Sequence, residues 1–214
     1  MQPPPAGTRE RPLVYLLLTR ALVRAGDAAT ILGRALEGGV GLVQVREKGA
    51  TTAELIAWTR TVVAIAAPYG VPVVVNDDPI AAERSGAAGL HLGQNDAPLA
   101  VARRALGRPM WIGISTHALA EVERARQEGA DMLGFGPIFE TSTKAAGRPI
   151  GTADLERARD LAAPLPVFPI GGVNVANAGL LAAEGVHQAA VSSAVLGAED
   201  PTATVRALIA ALRR

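Results

Sequence analysis

The chain has 214 residues, of which 49% are hydrophobic and 3% aromatic, so we expect one domain with an aliphatic core. Its 21 Lys and Arg nearly balance 20 Asp and Glu, and this net charge of +1 argues against a nucleic-acid partner. The sequence contains no cysteine, which excludes disulfides, thiolate metal sites and a cysteine nucleophile.

Residues 1–12 and the lengths of the apolar runs indicate where in the cell the protein is expected to lie. Residues 1–12 have no apolar stretch of the kind found in a signal peptide, so we predict a flexible tail there and a single domain over 13–214. No apolar run reaches the ~18 residues that a membrane-spanning helix needs. We therefore expect a cytoplasmic protein without a membrane partner.

Apolar strand-like runs alternate with helix-like stretches. The first strand is predicted over Leu13–Leu18, and a helix follows from the N-cap Asp27 to the Gly38-Gly39 pair. Thr51 and Glu54 have the spacing of a capping box, which predicts a long helix to about Ala67. The other strands are predicted over Gly41–Val45, Val71–Val75, Ala88–Leu92, Met110–Ile114, Asp131–Phe135, Val167–Ile170 and Gln188–Val191, and the last helix over Pro201–Leu212.

This order gives about eight β-α units whose strands are apolar on both faces. Eight parallel units in one domain favour an α/β fold, a single-domain (β/α)8 TIM barrel. An open doubly wound sheet is the alternative, but no glycine-rich fingerprint follows the first strand, where Thr19 and Arg20 stand. In a barrel, the segments after each strand meet at one rim, and polar residues in them are site candidates.

The second strand runs into the segment QVREK, residues 44–48. Gln44, Arg46 and Lys48 alternate, so along an extended chain they point to one side. A guanidinium beside an ammonium suits a phosphate or diphosphate. From the spacing alone, a solvated strand end is an equal alternative.

Acidic residues follow the third and fourth strands. Asp77 and Asp96 stand at the ends of neighbouring strands, where together they could hold one Mg2+. Helix capping is the competing interpretation of such aspartates, and we prefer it for Asp78, which precedes Pro79.

The fifth and sixth strands end in further polar segments. Ser115 and Thr116 follow the fifth strand, and we interpret the adjacent His117 as an early helix residue rather than a catalytic one. The sixth strand ends in the longest loop, 136–151, which contains a cluster of hydroxyl groups and a lysine. A loop of this length is either functional or only a flexible surface segment.

The seventh and eighth strands end in small residues, Gly171-Gly172 and Ser192-Ser193. Phosphate sites in these barrels often form at the loops after strands seven and eight, where glycine lets backbone N–H groups approach the anion. The phosphate site is favoured over the alternative, a tight turn beside a strand end of small residues.

Seven segments, taken in order, resemble the thiamine phosphate synthase family, and they cover nearly the whole chain after residue 13. They are QVREK (44–48), VND (75–77), GLHLGQND (89–96), GIST (113–116), GFGPIFETSTK (134–144), IGGV (170–173) and SSA (192–194). The resemblance implies a Mg2+-dependent barrel enzyme. It would join a hydroxymethylpyrimidine diphosphate to a thiazole phosphate, or its carboxylate, to give thiamine phosphate and pyrophosphate.

The resemblance also implies roles for individual residues. The pyrimidine diphosphate would contact Gln44, Arg46, Lys48, Asn76, Ser115 and Lys144. The thiazole partner would contact Thr141 and Thr143, with Ser142 between them as a further substrate-binding residue. The thiazole phosphate would contact Gly172, Ser192 and Ser193, and Mg2+ would bind Asp77 and Asp96. The catalytic charge and positioning would come from Arg46, Lys48, Ser115 and Lys144.

Two residues depart from the family pattern. Arg20 stands where an acidic residue is common, and Glu140 replaces the usual proline. The related thiazole tautomerase is the alternative function; it needs no metal and would favour His117 as an acid or base. A non-catalytic barrel that binds a phosphorylated ligand is a second alternative. The retained charged residues favour the synthase, with small-molecule substrates as partners and a homo-oligomer left open.

Overall fold

Parallel strands alternate with helices in the computed structural model, which describes residues 2–23, 27–141 and 149–214. The eight strands in these ranges are β1 (Leu13–Leu18), β2 (Val40–Val45), β3 (Val73–Asn76), β4 (Gly89–Leu92), β5 (Trp111–Thr116), β6 (Met132–Phe135), β7 (Val167–Pro169) and β8 (Gln188–Val191). They form one sheet in which β1 to β7 follow chain order and β8 lies beside β1.

The sheet is nearly closed at the seam between β7 and β8. Ile170, just beyond β7, forms an isolated parallel bridge with Ala190. The side-chain amide of Gln188 donates to the carbonyl of Val167 at 2.5 Å. The predicted TIM barrel is thus confirmed, and the open sheet is wrong.

Helices follow the strands around the outside of the barrel. They are α1 (Ala28–Gly38), α2 (Thr52–Ala66), α3 (Pro79–Ser85), α4 (Leu99–Ala105), α5 (Leu119–Gln127), α6 (Leu155–Ala162), α7 (Ala178–Ala183), α8 (Ser193–Leu196) and α9 (Pro201–Leu212). The predicted caps are confirmed. Asp27 accepts two N–H bonds at the start of α1, Thr51 and Glu54 form a capping box, and Asp78 caps α3. None of the described helices is long and apolar enough to cross a bilayer.

The core has two parts because each strand is buried on both faces. Outward-facing residues such as Leu16 and Leu18 pack against the helices in one large aliphatic cluster. Inward-facing residues such as Tyr15 and Phe168 fill the barrel, where their rings meet edge to face with centroids 5.1 Å apart. This inner layer forms a solid base below the candidate rim.

Two strands extend further toward the rim than the sequence predicts. β3 starts at Val73 because Pro72 has no N–H for the ladder, and it continues to Asn76, which pairs with His91. β5 continues to Thr116, and Ser115 pairs with Gly134. Asn76 and Ser115 are therefore held by strand pairing rather than by a loop.

The first residues contact the opposite end of the barrel. The Trp111 indole donates to the carbonyl of Gln2 at 2.8 Å, and the N–H of Gly7 donates to the side-chain oxygen of Gln188 at 2.6 Å. Trp111 and Gln188 begin their strands, so this segment lies far from the candidate site. The flexibility of 1–12 and its boundary with the barrel stay predictions.

Candidate active site

A cavity of about 820 Å³ opens at the carboxyl ends of the strands. All the candidate residues that the structure describes line it: Gln44, Arg46, Lys48, Asn76, Asp77, Asp96, Ser115, Thr141, Gly172, Ser192 and Ser193. Ser142, Thr143 and Lys144 lie outside the described residues. Residues from seven strand ends therefore meet at one rim, as the barrel geometry requires.

Alternate residues of the QVREK segment, Gln44, Arg46 and Lys48, line this cavity. Gln44 is buried, and its side-chain amide donates to the Tyr15 hydroxyl at 2.6 Å. Burial raises the pKa of Tyr15 well above its usual range, so its hydroxyl stays protonated. Arg46 is half-buried and Lys48 is exposed. Along the alternating segment, a neutral amide thus lies deepest and the cations lie nearer the mouth.

Asp77 and Asp96 are in direct contact. The two carboxyl groups lie close enough to share one proton. Partial burial of the Asp77 carboxyl raises its pKa to about 6, helped by the neighbouring Asp96 charge and opposed by Arg46 and Lys48. Asp96 also accepts the N–H of Gly93 at 2.6 Å, whereas the N-cap of α4 is Pro98. Two like charges held together in this way favour a shared proton or a cation.

The backbone at Asp77 is unusual. Asp77 has φ +66°, the only positive φ among the described non-glycine residues, and its N–H donates to the His91 carbonyl at 2.9 Å. A side chain in this left-handed region costs about 1–3 kcal/mol, and such strain is concentrated at functional sites. The turn aims the Asp77 carboxyl toward Asp96.

The donor set of this pair fits a hard divalent cation. Mg2+ is commonly held by one or two carboxylates, with water and substrate phosphate oxygens completing its shell. Within the described ranges, no three His, Cys, Asp or Glu side chains group closely enough to hold a metal ion. Asp77 and Asp96 would thus supply only part of a coordination shell, in the cavity that Arg46 and Lys48 also line.

Sequence reasoning missed His91, which lies inside the barrel below Ser115. It is buried, and its Nε2 is 3.0 Å from Ser115 Oγ. Its Nδ1 has no hydrogen-bond partner among the described residues. A Cβ on Gly113 would come within 2.5 Å of that nitrogen, so the ring needs a glycine beside it. The signal in the sequence was a histidine within an apolar strand that faces glycines on β5 and β6.

A second residue that the sequence did not single out, Gln94, holds the Ser115 backbone. Its side-chain amide donates to the Ser115 carbonyl at 2.6 Å, and Arg124 on α5 donates to its oxygen. His117 lies two residues before α5, not within it, and its N–H donates to Glu121 at 2.7 Å. Ser115 is therefore fixed on its side chain by His91 and on its backbone by Gln94.

The β6–α6 segment is tied to β7. The N–H groups of Ile138 and Phe139 donate to the carbonyls of Ile170 and Gly171 at 2.8 and 3.0 Å. Gly171 and Gly172 have φ +95° and +69°, and a Cβ on Gly172 would overlap the Glu140 carbonyl. These glycines let the chain that leads to Thr141 pass directly against the end of β7.

The end of β8 completes the rim. The Ser192 hydroxyl donates to the carbonyl of Leu17 at 2.8 Å, which ties this strand end to β1. Ser193 begins α8 and lines the cavity beside it. The predicted phosphate residues are thus adjacent in space, Gly172 on one side of the barrel seam and the two serines on the other.

We expect His91 to remain neutral across the physiological range, because burial lowers its pKa from 6.5 to about 4. In the folded protein, the NMR resonances of the His91 ring should not shift between about pH 8 and 5. In denaturant, the same resonances should titrate over this range. Because only the unfolded chain takes up this proton between pH 6.5 and 4, the His91 contribution to stability falls on acidification. A transition of the folded protein near pH 6.5 would contradict this expectation.

Comparisons with known proteins identify relatives over almost the whole chain. A family model described as thiamine monophosphate synthase matches residues 14–195. Thiamine-phosphate synthase from Chloroflexus aurantiacus is 39% identical over 196 residues, which are 91% of this chain and 90% of the relative. The counterpart from Desulfitobacterium hafniense is also 39% identical, over 92% of this chain and 95% of the relative. A solved structure of thiamine phosphate pyrophosphorylase from Pyrococcus furiosus is 32% identical and superimposes with a TM-score of 0.84, covering 95% of this chain and 96% of that one.

Proposed function

The chain belongs to the thiamine monophosphate synthase family and is a transferase enzyme, and from this premise we propose how its rim residues carry out the transfer. The substrates are 4-amino-2-methyl-5-pyrimidinylmethyl diphosphate and thiazole phosphate, or its carboxylate. The products are thiamine phosphate and pyrophosphate, and the carboxylate would in addition release its carboxyl carbon as CO2. The observation that carries the proposal is that Arg46 and Lys48 line the same cavity as the contacting carboxylates of Asp77 and Asp96.

The difficult step is departure of the diphosphate. The bond from the exocyclic methylene carbon to the diphosphate oxygen breaks, and its electron pair leaves with the oxygen. The pyrimidine amino group donates electrons into the ring and stabilises the cationic carbon that remains. The thiazole nitrogen then forms the new C–N bond with its lone pair. No side-chain nucleophile is required, consistent with a chain without cysteine.

Charge that builds on the leaving diphosphate has to be balanced at the rim. Arg46, Lys48 and Lys144 would bind its oxygens. Asp77 and Asp96 would hold Mg2+, which neutralises part of the diphosphate charge when bound. Groups placed in advance where charge develops typically change turnover by roughly 100-fold or more each.

The remaining residues would hold the reactants in line. Gln44, Asn76 and Ser115 would orient the pyrimidine ring, with Ser115 held by neutral His91 and by Gln94. Thr141, Ser142 and Thr143 would contact the thiazole, and Gly172, Ser192 and Ser193 its phosphate. Both reactants would then lie above the floor formed by Tyr15 and Phe168, a position that favours attack over hydrolysis.

The names of the relatives favour the synthase over the tautomerase. His117, the acid or base that a tautomerase would use, lines the cavity, but its Nδ1 lies 3.2 Å from Glu121 Oε2. We further propose that the enzyme works in the cytoplasm on these small molecules, without a nucleic-acid or membrane partner. A homo-oligomer is compatible with the proposal.

Incubation of the chain with Mg2+ and both substrates is the direct test. Thiamine phosphate and pyrophosphate should appear in equal amounts by mass spectrometry, and omission of either substrate should abolish the first product. Chelation of divalent cations should stop the reaction and leave the circular dichroism spectrum unchanged. A folded chain that makes no thiamine phosphate under these conditions would contradict the proposal.

A further inference from the structure

Arg20 is held by two neighbours outside the cavity, Glu47 and Trp58. Its N–H donates to Glu47 Oε1 at 2.9 Å, and its Nε lies 3.3 Å from the same oxygen. Its guanidinium also lies over the Trp58 ring, 5.3 Å from the centroid, a distance suited to a cation–π contact. The carboxylate of Glu47 is therefore engaged by both the backbone and the side chain of one residue.

Glu47 occupies a sensitive position because it stands between Arg46 and Lys48. Those two cations line the cavity, whereas neither Glu47 nor Arg20 is among its described lining residues. The alternation of an extended segment explains this division, since neighbouring side chains point to opposite sides. Only 10% of the Glu47 side chain is exposed, against 49% for Arg20.

A carboxylate so little exposed needs a partner. If the guanidinium were removed, its negative charge would be left poorly solvated, which is costly. The nearest remaining cations in sequence are Arg46 and Lys48, and Glu47 would turn toward them or lower their local positive potential. In either case, the positive potential that attracts an anion into the cavity would fall.

We propose that Arg20 is a positioning residue for the diphosphate site, which keeps the Glu47 charge away from Arg46 and Lys48. The inference rests on the proposed function, since it takes the anion in the cavity to be a diphosphate. Arg20 touches neither substrate. Its effect passes through Glu47.

Calorimetric titration with inorganic pyrophosphate and Mg2+ tests the proposal. Arg20→Met should weaken pyrophosphate binding by roughly tenfold, because Glu47 loses its counter-charge. The double variant Arg20→Met/Glu47→Gln should recover most of the affinity, since the uncompensated charge is gone. Arg20→Lys should retain part of it. In steady-state kinetics, Arg20→Met should raise KM for the pyrimidine diphosphate more than it lowers kcat.

The outcomes separate this inference from the proposed function. Unchanged pyrophosphate affinity in Arg20→Met, with affinity lost in Arg46→Met, would overturn the inference alone. A double variant as weak as Arg20→Met would also overturn it, because Arg20 would then act through packing on Trp58 rather than through charge. If the wild-type chain does not bind pyrophosphate at all, the diphosphate site is wrong and the inference fails with it.

Discussion

Asp77→Asn is expected to lower kcat by at least roughly 100-fold while the barrel stays folded. The substitution keeps the size of the side chain, and asparagine tolerates the left-handed backbone at φ +66° better than most residues. It removes the negative charge that, with Asp96, would hold Mg2+. Turnover should be measured at saturating Mg2+ and compared with Asp96→Asn, which should behave alike.

The same substitution is expected to stabilise the free protein near neutral pH. The folded chain raises the Asp77 pKa from 3.8 to about 6, so it binds this proton more tightly than the unfolded chain does. The resulting stability is present below pH 3.8 and is lost as the pH rises through about 6. The asparagine side chain carries no such charge. The melting temperature of Asp77→Asn, measured in chelator at pH 7.5, should therefore equal or exceed that of the wild-type protein.

Asp78→Asn is the matched control for Asp77→Asn. Asp78 is adjacent but caps α3 by accepting the N–H of Ala81, a bond that an asparagine oxygen can also accept. Turnover should change little in this variant. Equal losses of turnover in Asp77→Asn and Asp78→Asn would mean that the end of β3 tolerates no substitution. Unchanged turnover in Asp77→Asn would show that Asp77 does not hold a catalytic metal ion.

Local sequence signals were sufficient for the overall architecture. The caps at Asp27, Thr51 and Asp78 depend on contacts within three residues, so their helix starts could be read from spacing alone. The eight apolar runs gave the strands because a buried parallel strand needs only a continuous run of apolar side chains. The order of the strands then brought the polar segments to one rim.

Features that depend on register between strands could not be predicted. The extension of β5 to Thr116 follows from its pairing with β6, which no local pattern specifies. His91 is buried against Ser115 because Gly113 leaves room on the neighbouring strand. The pairing of Arg20 with Glu47 joins residues 27 positions apart. The residues that line the site could thus be predicted from the sequence. The neighbours that hold them in place, such as His91 beside Ser115, could not.

Gly172→Ala is expected to raise KM for thiazole phosphate by at least roughly tenfold, because the added methyl group would displace the neighbouring loop. A Cβ there would overlap the Glu140 carbonyl and lie 2.8 Å from Phe139 Cβ. The carbonyl belongs to the backbone, so no rotamer change relieves the clash. The chain to Thr141 would have to move away from β7, and with it the contacts proposed for the thiazole.

Gly70→Ala separates this clash from backbone strain. Gly70 has φ +66°, close to the +69° of Gly172, but a Cβ on Gly70 would meet nothing within 4 Å. Both variants should therefore lose about 1–2 kcal/mol of stability from the left-handed backbone, and only Gly172→Ala should lose affinity for the substrate. Melting temperatures and KM values measured together distinguish the two effects. If Gly172→Ala matches Gly70→Ala in both quantities, close packing of the loop on β7 does not govern thiazole phosphate binding, and the phosphate site must be sought among other rim residues.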